Sequence, residues 1–193
     1  DEAFQRAVAF ITRAQNRSKS NPASWAGDDG GFVYTPAGEG ESKVESEAGS
    51  LRSYGSMTYA GFKSLLYAGL DVEDARVQAA LAWLRRHWTL DENPGLGDQG
   101  YYYYLHVMSR ALRAFGQDSF TDDSGEVHDW RSELAERLLE LQEPDGSWIN
   151  RKSDRWLEGE SCLVTAYAVL ALEEVMASGV TASPSEIVPG PKA

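Results

Sequence analysis

Apolar positions recur at helical spacing in six stretches of the chain, and the six fall into pairs. The last pair shows the pattern most fully. An outer stretch with Leu134, Leu138 and Leu141 on one face runs into residues 139–172, LELQEPDGSWINRKSDRWLEGESCLVTAYAVLAL. There the helix ends, a turn forms on Asp145-Gly146-Ser147-Trp148, and a second helix starts at about Ser161. This second helix, with Leu163, Val164, Tyr167, Leu170 and Ala171, is apolar nearly all round. A helix apolar on every side must be surrounded by protein. The unit predicted is an amphipathic outer helix shielding a buried inner one.

The rest of the chain repeats that unit. Residues 2–17 place Ala7, Phe10, Ile11 and Ala14 on one face and end at Gln15, before an Asp29-Gly30-Gly31-Phe32 turn. The apolar stretch SYGSMTYAGFKSLLYAGL follows, ending at Gly69 and Leu70. Residues 74–88 repeat the outer pattern with Ala80, Leu84 and Trp88, and YYYYLHVMSRALRAFG is their inner partner, closed by Gly116. Sliding the inner stretches together sets Leu65 over Leu112 over Leu172. The period predicts an all-α chain of three helical hairpins, at about 2–70, 73–116 and 129–178. The Pro-rich tail, 179–193, should lie outside the core.

Between these elements, PAGEGESKVESEAGS in the first long loop is acidic and without period, and reads as a mobile surface excursion. In TLDENPGLGDQG, Asn93-Pro94-Gly95 marks a tight turn. Asp129 is placed to cap a helix starting at Trp130.

Composition narrows the function classes. A chain of 193 residues is long enough for one well-buried domain. Its net charge of −12 argues against a nucleic-acid partner, which requires a basic face. No apolar run is both long and charge-free enough for a transmembrane segment. The single cysteine, Cys162, excludes an intrachain disulfide. The chain opens inside an outer helix without an initiator Met, and so reads as a mature product or a fragment.

Gln142-x-x-x-Gly146-x-Trp148 resembles the Gln-to-Trp repeat of squalene–hopene cyclases and protein prenyltransferase β-subunits. The blocks SYGSMTYAGFKSLLYAGLD, HWTLDENPGLG and DGSWINRKSDRWLEG are similar to bacterial prenyltransferase/squalene oxidase repeat proteins, many of them exported. The resemblance implies that Gln ends an outer helix and Trp folds back over it, tying hairpins into an α/α toroid. The first hairpin keeps Gln15 and Phe32 in these roles, whereas the middle one has Trp88 where Gln belongs. Family rings close with six hairpins, so this chain would be an α/α-toroid segment, half a ring. Its expected partner is a companion toroid half, either an N-terminal segment of a longer parent or a second copy. An exported or periplasmic location is implied by the resemblance alone.

Motifs for chemistry are sparse. Asp71-Val72-Glu73-Asp74 is the nearest approach to the cyclases' Asp-x-Asp-Asp, but it falls in a rim turn where acids cap helices. Glu160-Ser161-Cys162 with His106 offers competent zinc donors. Their order is not that of the prenyltransferases, and a lone cysteine is ordinarily a small hydrophobe, so no zinc or other cofactor is expected. Tyr101 to Tyr104 point around a whole helix, so at least one faces the centre, with His106 one turn on. Tyr59 aligns with His106, and Cys162 with Tyr102. In cyclases such linings stabilise carbocations, while plain core packing is the simpler use of the rings. Asp98, Glu158 and Glu160 precede inner helices and would gather at one mouth of the ring, as caps or as paired acids for sugar chemistry. Arg155 and Trp156 beside them would contact a sugar or close the turn.

These features predict a binding or interaction scaffold with an aromatic, acidic cavity for a hydrophobic or sugar ligand. The cavity candidates are Tyr59, Asp98, Tyr102, Tyr103, His106, Trp156, Glu158, Glu160 and Cys162. The rival is an enzyme acting on an isoprenoid or a polysaccharide, its catalytic groups completed by another half or subunit. No residue is assigned a catalytic role.

Overall fold

In the computed structural model, which describes residues 2–46 and 49–177, the six periodic stretches are six helices. They are α1 (Glu2–Ala14), α2 (Gly55–Tyr67), α3 (Ala75–Arg86), α4 (Tyr101–Phe115), α5 (Trp130–Glu140) and α6 (Ser161–Met176). A two-stranded antiparallel hairpin, β1 (Phe120–Thr121) and β2 (Val127–His128), precedes α5, and a 3₁₀ turn at Arg155–Leu157 precedes α6. The protein is all-α apart from that hairpin. No helix among the described residues is long and apolar enough to cross a membrane. The tail at 179–193 lies outside the described residues.

The most apolar helices lie side by side. α4 packs between α2 and α6, while α1 and α3 cover α2 and α5 covers α6 and α4. The core is built on Phe62 and Leu65 of α2, Leu105, Met108 and Leu112 of α4, and Val164, Ala168 and Ala171 of α6. Leu81 and Leu84 of α3 and Trp130, Leu134 and Leu138 of α5 close it from outside.

The first and third hairpins are fastened in the same way. Gln15 donates its amide to the Gly30 carbonyl at 3.0 Å, and Gln142 to that of Gly146 at 2.9 Å. Gly30 and Gly146 share a positive φ of 88°, left-handed backbone that glycine alone adopts without strain. Asp29 accepts from the Gly31 N–H at 2.8 Å and Asp145 from the Ser147 N–H at 3.0 Å. The backbone N–H of each following aromatic then reaches a threonine of the inner helix: Phe32 to Thr58 at 3.1 Å, and Trp148 to Thr165 at 3.0 Å. The Trp148 indole, 4 % exposed, also donates to the Leu138 carbonyl at 2.8 Å. Phe32 lies so close over Gly61 that a Cβ there would stand 2.4 Å from the ring.

The middle hairpin is fastened differently. Trp88 stacks on Phe120 of β1, with centroids 4.8 Å apart, and lies 4.7 Å from the His128 ring of β2. The β-hairpin has no counterpart in the helical periodicity, because its strands are only two residues each.

A second regularity sets the direction of the inner helices. The Asn93 side chain, fully buried, accepts from the Ser56 N–H in the first turn of α2. Glu158 accepts from the Tyr103 N–H in the first turn of α4. Each of these helices is thus capped by the loop of the next hairpin, which brings their N-termini to one end of the row. Asp74 caps α3 through the Arg76 N–H, and Asp129 caps α5 through the Ser132 N–H.

The first loop is partly buried, chiefly ahead of its acidic segment. Trp25 and Val33 are buried in it, and Val44 packs with Tyr54 and Leu96. Its buried asparagines tie it down: Asn16 donates to Asp29 and the Leu51 carbonyl, and Asn21 to the carbonyls of Arg13 and Gln15. These short polar side chains satisfy backbone that would otherwise need water.

Truncating Trp148 to alanine removes a buried indole and its hydrogen bond. The variant should lose about 3–5 kcal/mol in urea unfolding. An unchanged midpoint would show that this fastening is dispensable.

Candidate functional site

The end of the row where the N-termini of α2 and α4 meet holds a cavity of about 240 Å³. Its walls come from all three hairpins. Tyr54, Ser56 and Met57 come from the start of α2, Gly100 and Tyr103 from the start of α4, and Trp156, Glu158 and Tyr167 from the third hairpin. Tyr34 of the first loop closes the side, with Lys43 4.2 Å above its ring.

Trp156 reaches this wall through unusual backbone. Trp156 and Leu157 have φ of 58° and 66°, the only non-glycine residues with positive φ among those described. Such conformations cost on the order of 1–3 kcal/mol each and persist where the surroundings impose them. Here the indole is laid against Gly100, where an added Cβ would stand 3.0 Å from the ring. Gly100 itself has φ 64°. Trp156 remains 43 % exposed, with the Arg155 guanidinium 4.4 Å from its ring centre.

Glu158 is the acid of the cavity, and it is 1 % exposed. One carboxylate oxygen accepts from the Tyr103 N–H at 2.8 Å, the other from the Asn150 amide at 2.7 Å. Burial raises its pKa in spite of these donors. The carboxylate also meets the positive end of α4, where a negative charge is favourable. Asn150 donates to the Asp98 carbonyl at 2.7 Å as well, joining the two loops.

The remaining candidates separate. Tyr103 is in the cavity wall, its ring edge-on to Tyr167 at 5.7 Å. His106 stacks on Tyr167, also at 5.7 Å. Burial, with Arg110 and Lys63 nearby, lowers the His106 pKa to about 4. Tyr59 does not line the cavity: it is 1 % exposed and packs in the core against Tyr104 at 5.7 Å. Tyr102 and Asp98 line a separate cleft with Arg137 and Asn150, where Lys152 pairs with the Asp98 carboxylate at 3.1 Å. Asp98 and Glu158 therefore serve different surfaces rather than forming a catalytic pair. Glu160 and Cys162 are exposed, and with His106 they do not gather as metal ligands. Among the described residues, the one such group with ligand atoms within 4.8 Å of one another is Asp122, Glu126 and His128.

Six wall residues escaped the sequence reading, Ser56 and Gly100 among them. Tyr34, Tyr54 and Met57 are brought in by the folded first loop and the start of α2, and Tyr167 reads in the sequence as one more apolar residue of a buried helix. The signal for Tyr54 was its place just before α2, matching Gly100 before α4. Comparison of the chain with family models, curated proteins and solved structures finds no match.

The lowered His106 pKa has a defined consequence. Below its ordinary value of 6.5 the unfolded chain takes up a proton that the folded chain refuses until about pH 4. Stability contributed by this group is thus lost as pH falls through that window. His106→Gln should flatten the corresponding part of the stability–pH curve, measured as the difference from the native chain; parallel curves would refute it.

Proposed function

We propose that the chain is a binding scaffold of the α/α-toroid type, resembling squalene-cyclase and prenyltransferase repeats. The aromatic cavity at the N-terminal end of α2 and α4 holds a neutral ligand with an apolar C–H face. The observation that carries this reading is the convergence of Tyr54, Tyr103, Trp156 and Tyr167, from three hairpins, on one open space. Flat π surfaces favour an isoprenoid chain or the face of a sugar ring. At about 240 Å³ the cavity is smaller than the ~300–1,000 Å³ of common small-molecule sites, so it grips part of a ligand.

The geometry favours binding over catalysis. Glu158 has both oxygens engaged in holding the wall, and among the described residues no second carboxylate or imidazole lines the cavity as its proton-transfer partner. An exposed, strained Trp156 suits a residue held ready for contact.

A half-ring also accounts for the two ends of the row. Phe4 and Phe10 of α1 are 49 % and 50 % exposed. Val169, Leu170 and Met176 of α6 are 44 %, 41 % and 75 % exposed. Among the described residues, no side chain caps the first turn of α6, unlike those of α2 and α4. A further hairpin, from a companion segment or a second copy, would cover the apolar flank and supply the cap.

Two measurements test this. Titration with farnesol and with a β-linked glucose tetrasaccharide should give saturable tryptophan-fluorescence changes with at least one of them, lost in Trp156→Ala. Silence with both, or undiminished binding by the variant, overturns the ligand reading. Light scattering should show the isolated chain self-associating. A stable monomer with ordinary cooperative unfolding would end the half-ring reading.

A further inference from the structure

The β-hairpin ahead of α5 carries a group of side chains unrelated to the cavity. His128 is 9 % exposed and its ring is held against Trp88 at 4.7 Å. Its Nδ1 lies 3.0 and 3.2 Å from the two carboxylate oxygens of Glu133. An ionised carboxylate only accepts, so Nδ1 donates to Glu133. The ring's Nε2 is buried and has no hydrogen-bond partner. It faces the Asp122 carboxylate, whose Oδ2 lies 3.7 Å away, beyond hydrogen-bond range. Asp122 cannot turn aside, since its Oδ1 accepts from the Ser124 N–H and hydroxyl and from the Glu126 N–H at 2.7–2.9 Å. The Glu126 carboxylate completes the group, all three ligand atoms lying within 4.8 Å of one another.

A buried ring nitrogen without a hydrogen-bond partner, facing a carboxylate oxygen 3.7 Å away, leaves a place where a cation would serve both. Ligands on one tetrahedral zinc ion, with bonds of about 2.0–2.2 Å, stand roughly 3.3–3.5 Å apart. A few tenths of an ångström of closure would bring His128 and Asp122 to that spacing. The carboxylate behind the imidazole is the arrangement that orients a metal-binding histidine and raises its basicity. We propose that Asp122, Glu126 and His128 bind one zinc-class divalent cation, with Glu133 positioning His128 and a water completing the shell. The imidazole nitrogen selects zinc, cobalt or nickel over calcium and magnesium. The site is separate from Glu160, Cys162 and His106, and it stands or falls independently of the aromatic cavity.

The test is titration of the whole chain with Co²⁺, read by its visible absorption, followed by displacement with Zn²⁺. A net charge of −12 attracts cations diffusely, so the titration belongs at about 0.15 M salt, where that attraction is screened beyond ~8 Å. One equivalent should bind, and excess Ca²⁺ should not displace it. Asp122→Asn keeps the acceptor that holds the turn, and Glu126→Gln alters an exposed side chain, so both variants should fold; each should bind at least tenfold more weakly. Glu133→Gln should weaken binding about 10–100-fold through the orientation of His128. Absence of a saturable single site, binding unchanged in Asp122→Asn and Glu126→Gln, or displacement by Ca²⁺ overturns the proposal.

Discussion

The fold depends on how each outer helix is fastened to its inner partner. An outer helix alone is a weak element: α1 buries only Ala14 among its own residues. What holds it is the end of the helix, where Gln15 clasps the Gly30 carbonyl and a second carbonyl, that of Arg76 on α3. The turn aromatic then carries its backbone N–H to a threonine of the inner helix. Side-chain amides and hydroxyls here replace ladder bonds that end with the helix, so backbone groups of the reversal find partners within the protein. Two of three hairpins use the same set of bonds despite loops of very different length, which marks the set rather than the loop as the repeated unit.

Cross-capping adds the second dimension. Asn93 on α2 and Glu158 on α4 join each inner helix to the hairpin that follows it. Because the caps serve N-termini, they also decide where a cavity can form: at the end where loops from neighbouring hairpins must meet. The residues that build the cavity are therefore the ones next to the caps. Trp156 is two residues before Glu158, Tyr103 carries the N–H that Glu158 accepts, and Ser56 carries the one that Asn93 accepts. Glu158 links the two roles, since its buried charge is tolerable only against the start of a helix.

The helices were legible because burial leaves a period, and α6 begins at Ser161 as the pattern places it. The caps Asp129 and Asp74 were legible because an acid before a helix has a local effect. What escaped was non-local. Glu158 reads as a cap for the helix that follows it, but it caps α4, 55 residues earlier, because the loop folds back across the neighbouring hairpin. Tyr59, placed in the cavity by alignment of inner helices, faces the core, since the register of α2 against α4 turns it toward Tyr104. In the acidic segment PAGEGESKVESEAGS, Val44 packs with Tyr54 and Leu96, contacts that the segment's own acids and glycines do not announce.

The middle hairpin shows what happens when the clasp is absent. Without a glutamine at the end of α3, nothing draws a glycine turn back over that helix, and Trp88 instead offers a large flat surface. The segment after α4 covers it, setting Phe120 and His128 against the indole. Such a cover needs strands rather than a helix, because alternation over a short hairpin puts two rings on one face while their neighbours, Thr121 and Val127, stay exposed. The same stacking buries His128 and keeps its ring from rotating away from Asp122. An exchange in how one repeat is fastened has thus set a buried imidazole against Trp88 and Glu133, away from the cavity and built on different contacts.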